Sequence, residues 1–198
     1  MYDVLISKPK KFKESELKEL GLEEVFFITP ENSLVIGTEN MEEMRRSVSS
    51  AHSKKKIIII LGSNDEINRI ALDDKRVSML LSPERMKKKD SMHVRNSGLN
   101  HVLCDLAAKN KVFIAINYSE FKKMKGKEGA ERLGRVMQNV ELCRKSNAQI
   151  ILASFGKKPS SSYDLRSFAM SIGMTTDQAK KSLENAKEIF SHSMTKEA

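Results

Sequence analysis

Hydrophobic positions along this chain follow two spacings that alternate from one end to the other. Runs that are apolar almost throughout, rich in strand formers and too short for helices, occur at residues 2–6, 24–28, 57–61, 77–81, 112–118 and 149–153. Each reads as a strand. The run at 57–61, IIIIL, reads as one covered on both faces, as in a parallel sheet. Residues 34–36 offer a brief extra strand. Between these runs, apolar residues recur at the spacing of one helix face. The stripes are Met41, Met44, Val48 and Ala51, then Leu99, Val102, Leu103, Leu106 and Ala107. Two more follow, Leu133, Val136, Met137, Val140 and Cys143, and finally Ala179, Leu183, Ala186 and Phe190. A further helix is expected near 164–172.

End signals agree with this division. Ser15 and Asn64 are placed as N-caps, Asn64 with Asp65 and Glu66 in the first turn that follows. Thr175 and Gln178 have capping-box spacing, and Gly21 and Gly173 fit helix stops. Strands alternating with helices imply right-handed βαβ units on a parallel sheet, read as one domain over 1–198. Periodicity leaves an open doubly wound sheet and a closed barrel equally available.

Composition adds a partner class. The 198 residues are 39% hydrophobic and 31% charged, with a formal net charge of +9, which favours polyanions. The start, MYDVLISKPKK, lacks a long apolar core after a basic end and is not read as a signal peptide; no stretch has the apolar length of a membrane span. Cys104 and Cys143 both fall in expected helices, as buried reduced thiols suited to the cytoplasm.

Three stretches carry a family resemblance. RNSGLNHVLCDLAAKN at 95–110, RLGRVMQNVELCRKSN at 132–147 and YDLRSFAMSIGM at 163–174 resemble archaeal-type ribonuclease P protein component 3, relative of a eukaryotic RNase P/MRP subunit. The resemblance covers most of the chain. It implies an α/β fold, a TIM-like (β/α) barrel that is incomplete or irregular. It also implies a noncatalytic protein subunit of the RNA-based endonuclease that removes the 5′ leader of precursor tRNA. Mg2+ is then expected on the RNA subunit, with no cofactor bound by this chain. The implied partners are the RNase P RNA, component 2 in a hetero-oligomer, and precursor tRNA indirectly. Arg95, Arg132, Arg135 and Arg166 are the arginines within the matching stretches.

In a parallel barrel, every loop that follows a strand emerges at one rim. Residues Lys8, Lys10, Lys11 and Lys13 follow the first strand, and Arg85, Lys87, Lys88 and Lys89 the fourth. Lys122, Lys123, Lys125 and Lys127 follow the fifth, and Lys157 and Lys158 the sixth. The expected RNA contacts are Lys10, Lys11, Arg85, Lys87, Lys88, Lys89, Lys122 and Lys123, together with the four arginines. Tyr118, Phe121 and Tyr163 lie among these charges and are available to stack on bases. Replacing Lys87, Lys88 and Lys89 by Ala is expected to flatten the salt dependence of RNA binding by about two to three in log–log slope. Lys54, Lys55, Lys56, Lys109 and Lys111 precede strands and belong to the opposite rim.

A metal-dependent phosphoesterase barrel is the enzyme alternative, and a general RNA-binding scaffold the other. The histidines, His52, His93, His101 and His192, are isolated, without H-x-H or H-E-x-x-H spacing. No nucleophile-elbow or P-loop pattern occurs. Asp3, the lone acid of the first strand, is read, if it faces inward, as a paired structural acid rather than a metal ligand. Independent catalysis is not expected.

Overall fold

The computed structural model describes residues 1–91 and 95–194, with side chains as far as Ser191. Its strands are β1 (Tyr2–Leu5), β2 (Glu24–Phe27), β3 (Ser33–Ile36), β4 (Ile57–Leu61), β5 (Met79–Leu81), β6 (Phe113–Asn117) and β7 (Ile150–Ala153). Every ladder is parallel, joining β3 to β7 in chain order and β1 to β2. The end of β7 returns to β1: the Phe155 N–H donates to the Val4 carbonyl at 2.8 Å, and the Ile6 N–H to the Gly156 carbonyl at 3.0 Å. The strands therefore run around a TIM-like barrel in the order of the chain.

The barrel is irregular at one seam. No ladder joins β2 to β3 among the described residues. Asn32 spans that gap, its amide donating to the Phe27 carbonyl at 2.7 Å while its own backbone carbonyl accepts from Ile57 at 2.9 Å. The brief stretch at 34–36 is β3, a full neighbour of β4.

Alternation along the strands makes two cores. Tyr2, Val4, Ile57, Ile59, Met79, Leu81, Phe113, Ala115, Ile151 and Ala153 fill the interior. Ile58, Ile60, Leu80, Ile114, Ile150 and Leu152 face the helices. Burial on both faces is why these strands read as unbroken apolar runs. The interior is closed at the starts of the strands by α9 (Ala186–Met194). Phe190 stacks on Phe26 at 5.4 Å, and Phe26 on Tyr2 at 5.6 Å. With that end plugged, the open mouth is the rim where strands end.

The helices around the barrel are α1 (Glu14–Glu19), α2 (Met41–Ser53), α3 (Asp65–Asp73), α4 (His101–Asn110), α5 (Tyr118–Phe121), α6 (Gly126–Ser146), α7 (Ser162–Ser171) and α8 (Thr176–Glu184). Some expectations are corrected. Val102 is 59% exposed and Met137 43% exposed, because α4 meets α6 through Leu103, Cys104 and Ala107 against Val136, Val140 and Cys143, one step around each helix. Helix α1 starts one residue before Ser15, its Lys13 N–H held by the Glu16 carboxylate at 2.8 Å. The last stripe divides at Asn185, which ends α8 and ties the barrel floor by donating to the Ile150 carbonyl at 2.8 Å. Cys104 and Cys143 are free and buried, 4.0 Å apart between α4 and α6, and their contact together with burial pushes the Cys143 thiol well up.

Candidate nucleic-acid interface

The loop from β5 to α4 is the longest at the mouth, and it is fastened from several sides. Ser82 leaves β5 in a left-handed conformation, φ 55°, into a 3-10 turn at Pro83–Arg85. Gly98, φ +80°, lies directly on Pro83, where a Cβ would collide with the carbonyl group. Asn68 of α3 bridges two loops, accepting from the Ser63 N–H and donating to the Gly98 carbonyl, both at 3.1 Å. Asn100 then caps α4 through the Leu103 N–H at 2.9 Å.

Helix α6 supplies the other fasteners. Arg135 is 6% exposed; it ion-pairs Asp90 at 2.8 Å and donates to the Met86 and Lys88 carbonyls, each at 2.7 Å. Asn139 donates to the Ser97 carbonyl at 2.9 Å. Arg132 lies between Glu84 and Glu120, 2.9 Å from each, and over the Phe121 ring. Glu84 is fully buried, so desolvation pushes its carboxyl pKa up while Arg132 opposes the shift. Arg132 and Arg135, expected as RNA contacts, are therefore enclosed guanidinium groups that hold a loop. The stretches at 95–110 and 132–147 meet here, and much of what they share is this fastening.

Asp3 fastens the loop after β7. Tyr2 and Val4 occupy the interior, so Asp3 points outward, where its carboxylate accepts from Ser154 N–H and Oγ–H at 2.7 Å and from Ser160 N–H at 3.0 Å. Burial pushes its pKa up against the pull of those donors. The segment carrying Lys157 and Lys158 is thereby pinned at both ends.

The remaining expected contacts divide into two groups. On the β3–β5 side, cations face carboxylates: Arg85 pairs with Glu120 at 3.4 Å, Lys87 with Glu39 at 2.8 Å, and Lys88 with Asp65 at 3.4 Å. Lys89 is exposed without an ion pair among the described residues, and Arg95 reaches the Gly134 carbonyl at 3.3 Å. A mouth cavity of about 460 Å³ lies on this side, lined by Gly37, Thr38, Ser63, Asn64 and the paired lysines.

On the β6–β7–β1 side the cations stand alone. Lys10, Lys11, Lys122, Lys123, Lys157, Lys158 and Arg166 are exposed, and none has an ion pair among the described residues. Lys10 lies over Phe12 at 5.2 Å and Lys122 over Tyr118 at 5.4 Å. The pieces are contiguous. Gly156 pairs with Leu5, Ser119 N–H reaches the Ser154 carbonyl at 3.1 Å, and Tyr118 and Phe121 pack on Phe168 of α7 at 5.0 and 5.4 Å. Tyr118 and Phe121 are thus packing residues, while Tyr163 is exposed. A phosphate approaching the first group competes with a resident carboxylate. At the second no ion pair within 4.0 Å has to be broken first among the described residues.

Among the described residues no group of three or more His, Cys, Asp or Glu could hold a metal ion. His52 and His101 are exposed on α2 and α4, while His93 and the side chain of His192 lie outside the described residues. Fold and site together define a barrel-type protein with a cationic rim suited to a polyanion. The chain belongs to the RNase P subunit p30 family, which matches residues 32–198, from the β2–β3 seam onward.

Its relatives include ribonuclease P protein component 3 of Methanocaldococcus jannaschii, 30% identical over 157 residues, covering 78% of this chain and 64% of that protein. The component 3 proteins of Methanococcus maripaludis strain C7 and Methanosarcina mazei are 27% and 32% identical, covering 79% and 73% of this chain. The matches span 66% and 59% of those two relatives, so this chain corresponds to somewhat under two thirds of their length. Among solved structures, a chain of archaeal ribonuclease P with mature tRNA superposes with a TM-score of 0.73 at 25% identity, covering 100% of this chain and 85% of that one. A prolidase bound to N-methylphosphonate-L-proline shares the fold, with a TM-score of 0.52 at 7% identity over 96% of this chain and 55% of that one.

Proposed function

We propose that this chain is a noncatalytic protein subunit of ribonuclease P, the RNA-based endonuclease that removes the 5′ leader of precursor tRNA. The likeness to a chain of archaeal ribonuclease P over the full length of this one carries the reading. Its work is to bind and stabilise the RNA subunit. Lys10, Lys11, Lys122, Lys123, Lys157, Lys158 and Arg166 neutralise phosphates, and each such contact releases counterions. Arg166 can also engage a phosphate with two parallel donors. Magnesium belongs to the RNA subunit, and this chain binds no cofactor of its own. Component 2 is its protein partner in a hetero-oligomer, and precursor tRNA is met through the assembly. No helix among the described residues is long and apolar enough to cross a membrane, and the cytoplasm is the proposed location.

The test is precursor-tRNA cleavage by the cognate RNA and remaining proteins, with and without this chain, beside a protein-only lane containing divalent metal. A faster rate or lower magnesium requirement, only when RNA is present, supports the proposal. Cleavage in the protein-only lane would indicate a phosphoesterase instead. No effect in either lane would leave a general RNA-binding scaffold.

A further inference from the structure

Tyr163 is the most exposed of the large hydrophobic side chains described, at 74%. Its position is fixed although its ring is open. The Ser162 N–H donates to the Leu20 carbonyl at 2.8 Å, and the Cε2 edge of the ring rests beside Gly21, 3.6 Å from where a Cβ would stand. On its other side α7 is anchored by Leu165 and Ala169 in the core. The ring therefore projects from a held helix start, and its hydroxyl has no hydrogen-bond partner among the described residues. Arg166 follows one turn later on α7, and Lys157 and Lys158 lie in the loop that enters it.

An aromatic that anchors a protein partner usually sits in an apolar patch with polar groups at its edge. Tyr163 stands in a polar stretch of the chain, with Ser160, Ser161 and Ser162 before it and Asp164, Arg166 and Ser167 after, and the other exposed large apolar side chain of α7 among the described residues, Met170, lies two turns away. A projecting ring beside unpaired cations is the arrangement that holds an unstacked base while its flanking phosphates are neutralised. We propose that Tyr163 is a stacking platform for an unpaired base of the bound RNA, with Arg166, Lys157 and Lys158 taking the adjacent phosphates. This rests on the RNA-binding reading above and adds to it a preference for single-stranded over duplex RNA.

The test is binding of the full chain to a short single-stranded oligouridine RNA and to a duplex RNA of equal length, across a salt series. Tyr163→Ala should weaken single-strand binding by about 5- to 150-fold, with the log-affinity against log-salt slope unchanged because no charge is removed. Tyr163→Phe should bind within about twofold of the parent, since the ring face is kept. Duplex affinity should hold in both variants. Parental single-strand affinity in Tyr163→Ala, or an equal loss on duplex, would overturn the platform. So would an unchanged RNA affinity combined with failure to associate with another protein subunit. The two layers separate through Lys157→Ala/Lys158→Ala. If that variant flattens the slope while Tyr163→Ala binds normally, only the platform fails. If it leaves the slope unaltered too, the RNA-binding reading of this face fails with it.

Discussion

Replacing Arg135 by Met keeps the length and apolar stem of the side chain but removes the guanidinium that holds the loop between β5 and α4. The Asp90 ion pair at 2.8 Å goes with it, as do the bonds to the Met86 and Lys88 carbonyls, both at 2.7 Å. The Arg135 side chain is 7% exposed and that of Asp90 20%, so the groups left behind gain little water in exchange. Removing one partner of a buried ion pair costs about 3–5 kcal/mol, and the partial exposure of Asp90 puts this case near about 3 kcal/mol. Most domains this size are stable by about 5–15 kcal/mol, so the variant should still fold. Urea unfolding followed by circular dichroism should show the midpoint lowered by about 1.5 M, taking a slope of about 2 kcal/mol per molar urea. RNA affinity, measured well below that midpoint, should keep the parental salt slope. A cost under about 1 kcal/mol together with a flatter slope would refute the reasoning and return Arg135 to the RNA contacts.

The other predictions follow from single side chains. Gly98→Ala must take a left-handed backbone and a clash with the Pro83 carbonyl, which should cost about 2–5 kcal/mol, read as a shifted denaturation midpoint at unchanged slope. Phe190→Ala empties the barrel floor beside Phe26 and should cost about 3–5 kcal/mol in the same assay; less than about 1 kcal/mol would argue against α9 as the plug. Arg76 donates to both Asp74 oxygens, at 2.8 and 2.6 Å, and holds that carboxyl below its ordinary range. Its contribution to stability is therefore full above about pH 4 and fades as pH falls through the lowered folded-state value, so Asp74→Asn should destabilise at neutral pH and lose less than the parent on acidification.

The strands were legible because burial on both faces leaves a continuous apolar run, which no other local cause imposes on these stretches. β3 was faint because Leu34 and Val35 are only half-buried between Pro30 and Gly37, so the run is short and the seam beside it carries no ladder. The side of the barrel on which each basic loop emerges was also legible, since parallel topology alone decides it. What the sequence hid was pairing. Glu39, Asp65 and Glu120 lie 48, 23 and 35 residues from the cations they meet, and no local pattern links them. The expected slope change for Lys87, Lys88 and Lys89 shrinks accordingly, because two of the three already have carboxylate partners. Arg135 did leave a trace. With Asn139 it sits one turn apart beside Val136, Val140 and Cys143, the pattern of polar groups at the margin of a buried stripe. Asn68 and Asn32 left none, since a single asparagine that joins two loops looks like any surface amide until the loops are in place.

The most direct measurement compares the two halves of the rim in binding to the RNase P RNA across a salt series. One variant carries Ala at Lys10, Lys11, Lys157 and Lys158, the other at Arg85, Lys87 and Lys88. The first should flatten the log-affinity against log-salt slope by about three, at about 0.7–0.9 for each phosphate left without its cation, and the second by less than about one. Equal flattening per residue, or a larger change in the second variant, would contradict a contact surface centred on the unpaired cations.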